Sequence, residues 1–244
     1  MWIAAVQFQA AKGNWKESST RLERLIDAGC PAGTALVVCP EMALTGYVFP
    51  SPEAAGRVAE VAGDGPTFEL AARVATRHNA YFVAGYPETS NGHLYNSAMI
   101  VSPEGELLYN YRKRMLFEMD ENWAQPGNTE YPLVDTPFGQ LTCGICMDLN
   151  DRRFIEFLFV AEPTLIAFPT NWLDQGFDVR GYWRRRLLGY QGWFVAANTY
   201  GVEEGTPFRG RSSILAPDGG IAADAPAEGD AVVLAPLSAS GIFS

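Results

Sequence analysis

The sequence predicts a single α/β domain built on two sheets or on one large mixed sheet. Three observations carry that reading. Apolar runs such as TALVVC (34–39) and AYFVAGY (80–86) are continuous rather than alternating, so each strand is covered on both faces. Segments with helical spacing fall between these runs. Turn chemistry at Pro103-Glu104-Gly105 and at APDGGI (216–221) breaks the alternation with hairpins. With 244 residues, 48% hydrophobic and 12% aromatic, the chain can bury one sizeable core.

The elements follow in order. WIAAVQF (2–8) is a short apolar strand, and residues 16–30 form a helix with Leu22, Leu25 and Ile26 on one face and Gly29 near its end. After the strand 34–39 comes a helix over 66–79, opened by Pro66, then the strand 80–86. Residues 94–113 hold two strands around the hairpin turn. GQLTCGIC (139–146) is a strand, 151–163 a helix, TLIAFP (164–169) a strand and 177–192 a helix. WFVAAN (193–198), residues 211–225 and GDAVVLAPL (229–237) supply the closing strands. There is no linker, low-complexity segment or short-period repeat. A β-α-β-α order recurs loosely between the two halves.

The formal net charge is -10, from 28 acidic and 18 basic residues, which is no footprint for nucleic acid or an anionic membrane. The exception is YWRRRLL (182–188). Consecutive helical residues are spread by roughly 100°, so Arg184, Arg185 and Arg186 cannot share one groove, and a solvated or partly salt-bridged face is expected. The first residues lack a signal peptide's basic start and cleavage site, and no apolar run approaches the roughly 18 residues that span a bilayer. The four cysteines (30, 39, 143, 146) do not form a secreted disulfide framework. A cytoplasmic, reduced setting is expected.

Three apolar strands stop at a potentially reactive side chain. LVVCPEMALTGY places Glu41 beyond a strand, LLYNYRKRMLF places Lys113 beyond a second, and QLTCGICMD places Cys146 beyond a third. Ligands in open α/β sheets bind past the carboxyl ends of strands, so the three groups can share a pocket. Each has a plainer explanation on its own. Glu41 can be a solvated residue after Pro40, Lys113 part of a solvated basic trio, and Cys146 an inert buried thiol. The pair Cys143-x-x-Cys146 does not suggest a metal site, since no second pair and no histidine accompany it. A redox role fits the position but leaves the Glu41 and Lys113 blocks unexplained.

The blocks PEMALTGY, YRKRMLF and GICMD, in that order, resemble the carbon–nitrogen hydrolase (nitrilase) superfamily. AFPTNW (167–172), WFVAAN and GRSSILAPDGG (210–220) resemble further blocks of it, so the likeness runs from Trp2 to Leu237. It implies a four-layer αββα sandwich as a single domain over residues 1–244. It also implies an amidase that splits a non-peptide amide into carboxylate and ammonia and uses no cofactor and no metal. Cys146 would attack the amide carbon and form a thioester. Glu41 would take and return the proton, and Lys113 with the backbone N–H of Met147 would meet the oxyanion. A second family glutamate lies eight positions after the lysine. Here that is Glu121, expected to hydrogen-bond Lys113 or substrate. Asp148 is expected to cap the helix after the cysteine. His78 and His93 are expected to stand outside the site.

By the same resemblance Tyr47, Phe49, Phe117, Asn171 and Trp172 surround the substrate. CMDLN followed by Arg153-Phe154 is similar to the N-terminal amidase branch, which deaminates N-terminal Asn or Gln of peptides; Met147-Asp148 replaces the Trp-Glu of true nitrilases. The expected partner is a small amide or a peptide N-terminus, with no nucleic acid and no membrane. A homodimer through the helix over 151–163 is expected, without the longer tail that most relatives carry past SASGIFS. Rival readings are a nitrilase or nitrile hydratase-like enzyme acting on a C≡N group, a non-catalytic binding member and a transacylase.

Overall fold

The computed structural model describes residues 1–237; the stretch 238–244, on which the expectation about the tail falls, lies outside the described residues. The first half of the chain forms β1 (Trp2–Gln7), α1 (Trp15–Gly29), β2 (Thr34–Val38), α2 (Pro52–Gly56), α3 (Pro66–His78), β3 (Tyr81–Ser90), β4 (His93–Val101) and β5 (Leu107–Arg112). The second half forms β6 (Val134–Thr136), β7 (Gly139–Cys143), α4 (Arg152–Ala161), β8 (Leu165–Thr170), α5 (Val179–Arg186), β9 (Trp193–Asn198), β10 (Tyr200–Glu203), β11 (Thr206–Arg209), β12 (Ser213–Leu215), β13 (Ile221–Asp224) and β14 (Ala231–Pro236).

Two six-stranded sheets result. One has the order β14-β1-β2-β3-β4-β5 and the other β6-β7-β8-β9-β12-β13. Read in those directions, both show the same succession of antiparallel, parallel, parallel, antiparallel and antiparallel pairs. α1 links β1 to β2 as α4 links β7 to β8. The loose recurrence in the sequence is thus a repeated architecture, in which β2 and β8 hold equivalent central places.

Side-chain alternation separates the layers. Ile3, Ala5, Leu36 and Val38 point into the space between the sheets, where they join Leu141, Ala167 and Val195. Their neighbours Ala4, Val6, Val37 and Cys39 point the other way, onto Leu22 and Ile26 of α1 and Leu70 and Val74 of α3. Across the second sheet, Phe154 and Leu158 of α4 and Trp183 of α5 close the outer face. The strands are apolar throughout because each has a covered face on both sides. The fold is the four-layer αββα sandwich.

Local chemistry starts and stops the helices. The Asn14 side chain accepts from Glu17 N–H at the start of α1, Pro66 opens α3, and Asn79 ends α3 in the left-handed region at φ 51°. Asp151, not Asp148, caps α4 by accepting from Arg153 N–H. The helix expected over 177–192 spans only Val179–Arg186, because Gly189 turns the chain at φ 92°. The strand expected at 80–86 runs on to Ser90 and returns through Asn91-Gly92 as a hairpin with β4. The three arginines of α5 do point apart. Arg184 and Arg185 are exposed, as expected of a solvated face; Arg184 donates to Gly219 O (2.8 Å), Arg186 to Leu149 O (2.9 Å), and Arg185 lies 5.8 Å from the Tyr182 ring. Among the described residues no helix is long and apolar enough to cross a membrane.

Gly85 of β3 permits one close approach on which the site depends. The segment after β2 lies flat against β3, with Gly85 N–H donating to Pro40 O (3.1 Å) and Ala43 N–H to Gly85 O (2.9 Å). A Cβ at position 85 would stand 2.6 Å from Glu41 Cα. Backbone cannot yield as a flexible side chain can. Gly85→Ala is therefore expected to lower stability by about 1–3 kcal/mol, as overpacking does. Chemical denaturation measures this, and an unchanged midpoint would show that the Glu41 segment is free to move.

Candidate active site

Glu41 follows the last residues of β2 and is buried, 1% exposed. Every side of its carboxylate is engaged. Oε1 accepts from Lys113 Nζ (2.7 Å) and Asn96 Nδ2 (2.6 Å), and Oε2 accepts from Asn171 N–H (2.9 Å). Asn171, just past β8, also donates its Nδ2 to Glu41 O at 2.7 Å. The loops after the two equivalent central strands therefore hold each other. Burial raises the Glu41 pKa and the Asp120 charge raises it further, against the opposing pull of Lys113 and Asn96.

Lys113 follows β5 and is fully buried. Its backbone is fixed by N–H donation to Asn96 O (2.8 Å) and by Gly127 N–H donating to Lys113 O (2.7 Å). The ammonium lies between two carboxylates, Glu41 at 2.7 Å and Asp120 at 2.6 Å. Burial works to lower its pKa, but Asp120, Glu41 and Cys146 outweigh that and raise it well above the ordinary value, so the group stays charged. The expected partner Glu121 does not take this place: its side chain is exposed, on the far side of the short 3-10 turn Asp120–Asn122. Asp120, one residue earlier, faces inward and also accepts from Phe117 N–H (3.1 Å) and Asn96 Nδ2 (3.1 Å). Counting along the sequence from Lys113 lands one residue too far, because a 3-10 turn sends successive side chains to different sides.

Cys146 opens a second 3-10 turn, Cys146–Asn150, just past β7. Its φ of 43° lies in the left-handed region, which a non-glycine residue adopts under strain. Asp148 secures this turn. Its carboxylate accepts from Ile145 N–H (2.9 Å), Arg114 N–H (3.1 Å), Met115 N–H (2.9 Å) and the Tyr111 hydroxyl (2.8 Å). It thus ties the Cys146 turn to the chain around Lys113. Burial pushes Asp148 up to about 6 despite those donors. Burial also pushes the Cys146 thiol up to about 12, with Glu41 adding to the rise and Lys113 and the Thr170 hydroxyl opposing it. The resting thiol is protonated. Cys143 is fully buried between the sheets, and burial raises its pKa as well.

Above these groups opens a cavity of about 290 Å³. Cys146 and Met147 lie on it, as do Tyr47, Phe117, Asn171 and Trp172. Phe49 does not: it packs against Trp123 at 5.2 Å and under Lys12. Asn150, Gln175, Phe177 and Tyr182 also line the cavity; Asn150 closes the CMDLN motif and Tyr182 opens YWRRRLL, but neither is expected at the site from the sequence, and no motif marks Gln175 or Phe177. Trp172 and Tyr182 pack 5.4 Å apart, and the Tyr182 hydroxyl donates to Asn150 Oδ1. Tyr47 is held from the β10–β11 hairpin, equally unmarked in the sequence, whose Glu203 accepts from the N–H groups of Tyr47 and Val48 (2.9 and 2.7 Å) and pairs with Lys12 (2.9 Å). His78 lies apart, on Asp27 (2.8 Å), and His93 is exposed. Among the described residues no group of His, Cys, Asp and Glu is arranged to hold a metal ion.

The arrangement has what acyl transfer from an amide needs: a thiol, a neighbouring carboxylate to take its proton, an ammonium kept charged, and a largely apolar cavity. Comparison with known proteins agrees. The carbon–nitrogen hydrolase family model matches residues 2–242. The hydrolase in the pqqF 5′ region of Pseudomonas protegens is 36% identical over 202 residues, covering 81% of this chain and 70% of that protein. The protein N-terminal amidase of Schizosaccharomyces pombe is 34% identical over 163 residues, covering 63% of this chain and 57% of that longer protein. An amidase from Nesterenkonia sp. AN1, solved with acrylamide added at its active-site cysteine, superposes with a TM-score of 0.83 at 20% identity, covering 98% of this chain and 94% of that one, and shares the fold.

Replacing the inward acid should be far more damaging than replacing its neighbour. Asp120→Ala leaves the buried Lys113 ammonium short of a partner and is expected to lower stability by about 3–5 kcal/mol. Glu121→Ala is expected to stay within about 0.5 kcal/mol of the parent. Urea unfolding of the two variants compares them, and equal losses would contradict the assignment of Asp120.

Proposed function

The chain belongs to the carbon–nitrogen hydrolase family, and we propose that within it this protein is an amidase that works through a thioester on Cys146. The observation that carries this reading is the Glu41–Lys113 ion pair, sealed from water beside the thiol and beneath the cavity. Glu41 takes the Sγ proton as sulfur attacks the amide carbon. Its burial makes it a stronger base than an ordinary carboxylate, which suits a thiol that burial has made a weaker acid. The charge developing on oxygen meets the Lys113 ammonium and the N–H of Met147, which stands in the first turn of its 3-10 segment with no partner inside that turn. Glu41 then returns the proton to the departing ammonia. Water, activated by Glu41, releases the carboxylic acid and restores the thiol.

The substrate we propose is the side-chain amide of an N-terminal Asn or Gln on a peptide. The similarity to the fission-yeast N-terminal amidase supports this, and so does the charge of the site. None of the described residues lining the cavity is an acid or a base apart from the nucleophile itself and the Tyr47 and Tyr182 phenols. Beneath it, two carboxylates against one ammonium leave one net negative charge. An α-ammonium is welcome in that field and against the faces of Trp172 and Tyr182. A carboxylate close to the amide, as in free glutamine or an N-carbamoyl amino acid, finds no partner there.

Ammonia release from a panel tests both levels. Peptides with N-terminal Gln or Asn are expected to be turned over faster than free glutamine, short aliphatic amides, N-carbamoyl amino acids or a matched nitrile. Cys146→Ala abolishes turnover, whereas Cys143→Ala largely keeps it. Hydrolysis of the nitrile with the amide left intact would overturn the amidase reading, as would equal loss in both folded cysteine variants. Because Glu41 must be ionised to accept the proton, kcat/KM is lost as the pH falls through its raised pKa. The acid limb of the profile is therefore expected above the ordinary carboxylate value of 4.5.

A further inference from the structure

Thr170 ends β8 beside the nucleophile turn. β8 runs parallel to β7 from Leu141↔Leu165 to Cys143↔Ala167, and Gly144 N–H donates to Ala167 O (3.2 Å), so the two strand ends advance together towards the site. Asn171, the next residue, grips Glu41 through its backbone N–H. Thr170 itself is fully buried. β8 packs on the Cys146–Asn150 turn, and the Thr170 hydroxyl stands close enough to oppose the rise of the Cys146 thiol, yet it makes no hydrogen bond with any described group, the resting thiol included. A buried hydroxyl left in that state is unusual, because such groups find partners.

We propose that the Thr170 hydroxyl is a hydrogen-bond donor reserved for the Cys146 thiolate. The proposal rests on the reading of Cys146 as nucleophile. A protonated thiol is a poor acceptor, so the hydroxyl gains little in the resting enzyme. When the Sγ–H proton passes to Glu41, the electron pair left on sulfur becomes a strong acceptor, and the unpartnered Thr170 O–H can turn to it. As the pair forms the new C–S bond, the hydrogen bond weakens again. The interaction is thus stronger on the way to the transition state than before it, which is the condition for raising kcat rather than lowering KM. The other charges and titratable groups facing the sulfur are Glu41, Lys113, Asp120 and Tyr47, and none of them is hydrogen-bonded to the Thr170 hydroxyl.

The test compares Thr170→Val, which keeps the shape and removes the donor, with Thr170→Ser, which keeps the donor. Steady-state kinetics are measured on the best amide of the panel. Alkylation of Cys146 by iodoacetamide is followed by mass spectrometry across pH, which reads the thiolate without amide turnover. Thr170→Val is expected to lose about 10- to 100-fold in kcat, the range for a hydrogen bond to a charged group, with KM little changed. Its alkylation profile moves to higher pH, and Thr170→Ser restores most of both. An unmoved profile in Thr170→Val, or equal kcat losses in the two variants, would overturn the proposal. If Thr170→Val does not fold by circular dichroism, Thr170→Ser against Thr170→Ala decides in the same way. Failure of Cys146 to be alkylated in the parent enzyme would instead count against the nucleophile assignment.

Discussion

The site is organised around an ammonium that water does not reach. Lys113 is wholly buried, and a lone cation at such a position would be untenable. It is held there by Glu41 and Asp120, which arrive from the loop after β2 and from the turn beyond β5. Each of the three requires the others. Without Lys113 two carboxylates would face each other, and without Asp120 the ammonium would draw on Glu41 alone. Asn96, from the middle of β4, donates to both acids and so joins them a second time.

That constraint explains features of the fold that are otherwise unrelated. The Glu41 segment must lie flat on β3, which only a residue without a side chain allows at position 85. Asp148 must draw Ile145 towards Arg114 and Met115, since the Cys146 turn and the lysine arm belong to opposite sheets. The repeated strand pattern brings equivalent loops, those after β2 and β8, to one end of the sandwich, where Asn171 donates two hydrogen bonds to Glu41.

Burial gives the site its chemistry as well as its rigidity. It raises the thiol and the carboxylate together, which in the proposed reaction lets Glu41 serve as the base without histidine. It also strengthens every interaction of the Lys113 charge with an oxygen that turns negative. The same low-polarity surroundings leave the cavity above without charged walls, which makes the net charge beneath it felt by whatever enters.

Period and turn chemistry are local properties, so the succession of strands and helices was legible in the order of residues. So were Glu41, Lys113 and Cys146, through short blocks that end apolar strands. Counting could not choose between the adjacent acids Asp120 and Glu121 as the partner of Lys113, because only the path of a three-residue turn sends Asp120 inward and Glu121 out. Nor did any local signal mark Asn96 or the β10–β11 hairpin with Glu203, and the AFPTNW block that holds Thr170 gave no reason to single out its hydroxyl. The hydrogen bonds of Asn96 and Glu203 reach across 24 to 156 positions of chain. Such contacts exist only after the two sheets have packed, when a side chain's partners are set by the three-dimensional path of the backbone rather than by its neighbours in order.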